Sequence, residues 1–201
     1  MGSYYYLVSQ LPYLIYGQKP PMSPESFRKM AGPLMSARDA ELLNLVSLCP
    51  APLKSEDFSS LKIASSGSDF IDNWRKWEWV LRLNLAKHRF VKINRGGTAM
   101  EEPPSFPPDV LAVVSRAMTI EESPLEAELF LDKARWNAIE VFQGNNYFDR
   151  NIIYAYLLKL MLLERYASFQ PETGFSEYKS LYASIMESAR LSISPAGETE
   201  W

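Results

Sequence analysis

The sequence predicts a mainly α-helical protein, a multi-helix bundle arranged as one large domain or two lobes. Three observations predict this. Apolar residues recur at helical spacing along most of the 201 residues, and strand-type alternation is nearly absent after residue 16. Helix-start chemistry also recurs, at Ser23-Pro24, at Ser36 and at Ser123-Pro124-Leu125-Glu126. With 47% hydrophobic and 22% charged residues, the composition is that of an ordinary globular protein. A chain of this length buries enough surface to fold without a disulfide or metal staple.

Taken in order, Tyr4 to Tyr16 is apolar and tyrosine-rich, and Pro12 prevents one continuous element. Tyr4 to Gln10 fits a short strand or a short helix. Ser23 caps a short helix from Pro24 to Met30. Ser36 opens a second, with Asp39 in its first turn, and Leu42, Leu45, Val46 and Cys49 carry the helical repeat until Pro50. Residues 50–67 are rich in Ser and Pro and read as a loop. A long helix follows from about Ser68 to Ile93.

Residues 94–108 hold two glycines and four prolines, a linker or long loop. They are the best boundary between an N-terminal lobe, 1–93, and a C-terminal lobe, 109–192, with 193–201 as a polar tail. In the second lobe Asp109 to Met118 is a short apolar helix. Ser123, Pro124 and Glu126 supply cap, first-turn proline and capping-box glutamate for a helix to about Gln143. Gly144 is placed to end it in a left-handed conformation. Asp149 caps a helix through Phe169. Pro171 opens the last helix, where Phe175, Tyr178, Leu181, Tyr182, Ile185 and Ala189 form an apolar stripe.

The helix at 68–93 is unusual. On a helical wheel Phe70, Trp74, Trp77, Leu81, Leu85 and His88 share one face, while Trp79, Leu83, Ala86 and Phe90 lie nearly opposite. A surface helix buries one stripe, and this one carries two. Each large aromatic presents about 150–250 Å², so the helix is either sandwiched inside the protein or covered on one side by a partner. Between the stripes Arg75, Arg82 and Arg89 align at seven-residue spacing. They form a solvated face, with Glu78 pairing to Arg82 at i,i+4, or a basic strip for an acidic partner.

Reactive chemistry does not nominate itself. One cysteine and one histidine exclude a Cys/His metal cluster within the chain. Phosphate-cradling glycine loops and the nucleophile elbow are missing from the sequence. Cys49 reads as a small buried hydrophobe and His88 as a surface or partly packed side chain. Glu101-Glu102 and Glu121-Glu122 read as solvated loop carboxylates. No catalytic residue, cofactor or metal is therefore expected, and the chain is not read as an enzyme. A net charge of -3 argues against nucleic-acid partners. The longest apolar run, Ile152 to Leu163, is short of the about 20 residues a bilayer span needs, and reads as a buried helix. With no secretory start, a cytoplasmic location is expected.

Two blocks carry a resemblance. The opening YYYLVSQLP (Tyr4–Pro12) and the block from Arg135 to Phe169 resemble an uncharacterised bacterial family encoded beside V-type ATPase subunits. The second block contains Tyr147-Phe148-Asp149 and the run Leu158-Lys159-Leu160-Met161-Leu162-Leu163-Glu164-Arg165. The resemblance implies a non-catalytic subunit or assembly factor of a V/A-type rotary ATPase. It would be a reduced counterpart of the C (or d) subunit that joins the central stalk to the membrane ring. Its partners would be other subunits of that ATPase, holding it peripherally at the inner membrane. At 201 residues the chain is smaller than the three-lobed subunit. An interface under load needs buried aromatics and arginines. The candidates for it are Trp79, Leu83, Phe90 and the arginines 75, 82 and 89, followed by Tyr4, Tyr5 and Tyr6. The rival expectation is a helical small-molecule-binding or enzymatic domain with a cleft near 94–108.

Overall fold

Local start signals become helices as the sequence predicts. The structure, a computed structural model, describes residues 4–49, 65–93, 108–120, 123–145, 147–169 and 171–193. The Ser/Pro-rich stretch 50–64, the expected linker from 94 to 107 with both its glycines and Glu101-Glu102, the Glu121-Glu122 pair and the tail from 194 lie outside the described residues. Eight α-helices and no strand occur among the described residues. They are α1 (Tyr5–Ser9), α2 (Pro24–Ala31), α3 (Ala37–Asn44), α4 (Asp69–Ile93), α5 (Pro108–Thr119), α6 (Pro124–Gln143), α7 (Arg150–Ser168) and α8 (Pro171–Ile193). Ser23, Ser36 and Ser123 each accept a hydrogen bond from the backbone N–H three residues on, at 3.1–3.2 Å.

Tyr5–Ser9 resolves the open choice at the N-terminus in favour of helix. Five residues cannot hold a helix in isolation. Tertiary contacts hold this one: Leu7 is buried, and the Tyr4 N–H donates to the Phe148 carbonyl at 2.7 Å.

Two compact units are present, Met1–Ala167 and Ser168–Trp201. In the first, α4 packs on α5 and α6, and α5 on α6. The helix α7 is apolar around its whole circumference, and Ile153 to Leu158 are all buried. Phe27 of α2 meets Tyr156 at 5.0 Å between ring centroids, and Phe70 of α4 meets Tyr154 at 6.2 Å. One core therefore draws residues from both sides of 94–108, from Leu42 and Trp74 to Val110 and Leu160. The boundary between compact units falls after Ala167 instead of at the expected linker. In the second unit α8 stands as a single helix, its side chains from Gly174 to Ser188 exposed.

One helix is shorter than its periodicity suggests. The repeat Leu42, Leu45, Val46, Cys49 predicts helix to Pro50, and α3 ends at Asn44. Side chains from distant helices hold the next four carbonyls. Leu45 O accepts from Arg75 at 3.4 Å, Val46 O from Arg28 at 2.9 Å, Ser47 O from Trp74 at 2.9 Å and Leu48 O from Arg82 at 3.1 Å. Those external donors satisfy the carbonyls without another turn of helix.

Candidate functional site

The two sequence blocks that carry the family resemblance meet in space. Gly144 ends α6 with φ +66°, a conformation favouring glycine, and turns the chain toward Tyr147 and Phe148. The Asp149 carboxylate then accepts from the N–H of Asn151 at 2.9 Å and starts α7. Tyr5 packs against Phe148 with ring centroids 4.5 Å apart and the ring planes tilted by 34°. Tyr5 is 60% exposed and Phe148 45%, and Tyr6 and Tyr147 beside them in sequence are exposed as well. Isolated exposed aromatics are ordinary; here two exposed rings from distant parts of the chain touch each other.

Tyr4 anchors this corner from beneath. It is buried, and its hydroxyl donates to Asp39 Oδ2 and accepts from the Ser36 N–H at 3.2 Å. Arg150 Nη1 lies 3.2 Å from the other Asp39 oxygen, and the Tyr154 hydroxyl donates to the Asp39 carbonyl at 3.1 Å. Burial of the Asp39 carboxyl would raise its pKa. Hydrogen bonds from Tyr4, Ser36 and Arg150 outweigh that and hold it below the ordinary carboxylate range.

A cleft of about 550 Å³ adjoins the corner, lined by Val8, Leu11 and Pro12 from one block and by Tyr147, Ile152 and Tyr156 from the other. Lys159 and Glu140 form its polar wall. The Lys159 ammonium sits 3.2 Å from Glu140 Oε1 and 5.0 Å from the Trp136 ring centroid, and Trp136 Nε1 donates to the same carboxylate at 2.9 Å. Tyr156 donates to the Pro12 carbonyl at 2.9 Å, and burial pushes its pKa up to about 12, so it stays neutral. Tyr13, Gln143 and Asn145 add further polar groups to the lining.

A second cleft, of about 580 Å³, lies between α4, α5 and α6 and is lined by Trp77, Val113, Phe130, Ala134 and Phe142 among others. Trp77 Nε1 donates to Asp109 at 2.9 Å. His88 is exposed and lines neither cleft. Among the described residues no group of three His, Cys, Asp or Glu side chains is placed to hold a metal.

The structure places the other sequence candidates as follows. On α4, Phe70, Trp74, Trp77, Leu81 and Leu85 are buried, while on the opposite face Leu83 is buried and Trp79 and Phe90 are half-buried. Arg75 and Arg82 reach the 45–48 carbonyls, and Arg82 Nε also pairs with Glu78 at 2.7 Å, the i,i+4 contact read from the sequence. Arg89 is exposed, with Nη2 3.6 Å from Glu128. Tyr4 is buried, whereas Tyr5 and Tyr6 reach solvent. Cys49 corrects the expectation of a buried hydrophobe. It is exposed, and its Sγ accepts from Arg82 Nη1 at 3.1 Å, because α3 stops before turning it inward.

Sequence reasoning missed a buried chain of charge. Glu78 of α4 is fully buried and takes Arg135 Nε at 3.0 Å from α6. Arg135 Nη1 continues to Asp132 at 2.8 Å, and Arg165 of α7 pairs with both Asp132, at 3.2 Å, and Glu128, at 2.8 Å. Burial opposes the Arg135 charge, but the carboxylates of Glu78 and Asp132 more than offset this and raise its pKa. The one available signal was Arg135 falling among the buried positions of α6.

Fold and site together define a helical bundle with an exposed aromatic corner and an internal ionic chain. Residues 108–188, from α5 into α8, match the model of a family described as a protein of unknown function (DUF2764), and that part of the chain is similar to it. No curated protein and no solved structure matches the chain. No helix among the described residues is long and apolar enough to cross a membrane.

Proposed function

We propose that this chain is a non-catalytic interaction subunit or assembly factor of a V/A-type rotary ATPase, acting where the central stalk meets the membrane ring. The observation that carries an interaction role is the Tyr5–Phe148 pair, in ring contact yet exposed beside a cleft. The choice of ATPase rests on the resemblance of Tyr4–Pro12 and Arg135–Phe169 to a family encoded beside such subunits. The aromatic pair would be covered by an apolar patch on a neighbouring subunit, and rigid packing, with no bond made or broken, would carry load.

The test is copurification of the tagged chain, at native expression, with membrane-bound ATPase subunits. The expected result is recovery with the complex, lost in Tyr5→Ser/Phe148→Ser chains that keep the wild-type unfolding midpoint. A chain recovered only as a free cytosolic monomer would overturn the reading.

A further inference from the structure

The last helix carries a seam that the aromatic corner does not use. Phe175, Tyr178, Tyr182, Ile185 and Ala189 follow one another at spacings of three, four, three and four, the a/d repeat of a coiled coil. Leu181 and Met186 flank that seam and widen it. Phe175, Tyr178, Leu181, Tyr182, Ile185 and Met186 are all exposed, between 42% and 62%. Tyr178 and Tyr182 stack along the helix at 6.2 Å, and the Lys179 ammonium lies 4.6 Å from the Phe175 ring centroid, so the stripe is laid out as one continuous surface.

We infer that α8 pairs with α8 of a second copy of this chain, as an antiparallel two-helix seam. Area, charge and shape commit the surface to that occupant. The six side chains expose on the order of 700 Å² of largely apolar surface, close to the about 800 Å² each partner contributes to a standard interface. Lys179 is the one charged residue among positions 174 to 188 that flanks the seam, while Glu177 and Glu187 fall on the outer face. No like-charge pair opposes self-association. An antiparallel register that sets Tyr182 opposite Ile185 also sets position 178 opposite position 189, each tyrosine against a smaller residue. A parallel pair would stack Phe175 on Phe175 and Tyr182 on Tyr182.

Sedimentation equilibrium of the full chain at about 100 µM, a hundredfold above a micromolar dissociation constant, tests this. The expected mass is twice the 23.0 kDa of one chain. Tyr182→Glu/Ile185→Glu should return it to the monomer mass with circular-dichroism helix content retained, whereas Glu177→Gln should leave the dimer intact. A wild-type monomer at this concentration overturns the inference, and so does a dimer that survives the double glutamate substitution. In a Cys49→Ser background, oxidative cross-links should form between Tyr178→Cys and Ala189→Cys chains; cross-links only between like chains would overturn the antiparallel register. The result is independent of ATPase association, because the mass is read on the purified chain.

Discussion

Asp39 ties three parts of the chain together, the N-terminal segment, α3 and α7, through one side chain and its backbone. Its carboxylate holds Tyr4 and Arg150, its N–H donates to Ser36, and its carbonyl accepts from Tyr154. The carboxyl pKa is lower in the folded protein than in an unfolded chain, where it is about 4. Its contribution to stability is therefore fully present above about pH 4 and is lost as the pH falls through the lower folded value. Asp39→Asn should lower the unfolding free energy at pH 7 by about 1–3 kcal/mol, as for a buried charged hydrogen-bond network, and should flatten the further loss below pH 4. Urea unfolding between pH 3 and pH 7 measures both. An unchanged acid limb in the variant would show that other carboxylates govern it. The sequence placed Asp39 in the first turn of a helix, where a carboxylate is favoured. It carried no sign that Tyr4, 35 residues away, and Arg150, 111 away, would share it.

At the scale of elements, helix starts were legible and helix ends less so. Ser23, Ser36 and Ser123 cap the helices they announce, because a cap is a contact three residues long. The end of α6 was legible for the same reason: Gly144 adopts φ +66° and ψ -155°. That region is essentially closed to residues with a Cβ, and nothing lies within 4 Å of a Cβ built there. Gly144→Ala should therefore cost about 1–3 kcal/mol through backbone strain alone, seen as a lowered midpoint in chemical unfolding. A neutral effect would mean the turn relaxes elsewhere. The end of α3 was not legible, since Arg28, Trp74, Arg75 and Arg82 arrive from other helices to take the 45–48 carbonyls. The same contacts draw Arg75 and Arg82 out of the basic strip that their seven-residue spacing drew. The chain from Glu78 through Arg135 and Asp132 to Arg165 joins α4, α6 and α7. Buried ionic contacts of this kind add little net stability but penalise any misaligned packing heavily.

Across the whole molecule, the stretch 94–108 divides the sequence without dividing the core. Val110, Val114 and Ala117 of α5 share a buried cluster with Trp74, Trp77 and Leu81 of α4. A chain with a protease site engineered between residues 94 and 108 should stay associated after cleavage. Its two parts should coelute in native gel filtration and unfold in one transition. Independent lobes would separate into two species. The predicted mainly helical class holds among the described residues, as does the reading of Ile152 to Leu163 as a buried helix, since both depend on composition and period summed over long windows.

What this sequence determined alone is where helices begin, which of them are apolar all round, and that α8 carries one apolar stripe. Those properties follow from periodicity and from contacts a few residues long. Only the tertiary structure decided that Tyr5 meets Phe148, that Arg75 and Arg82 turn to carbonyls within the chain, that Cys49 faces solvent and that Glu78 is buried against Arg135. Each depends on groups 30 or more residues apart being brought within a few ångströms, and local pattern holds no record of such distances.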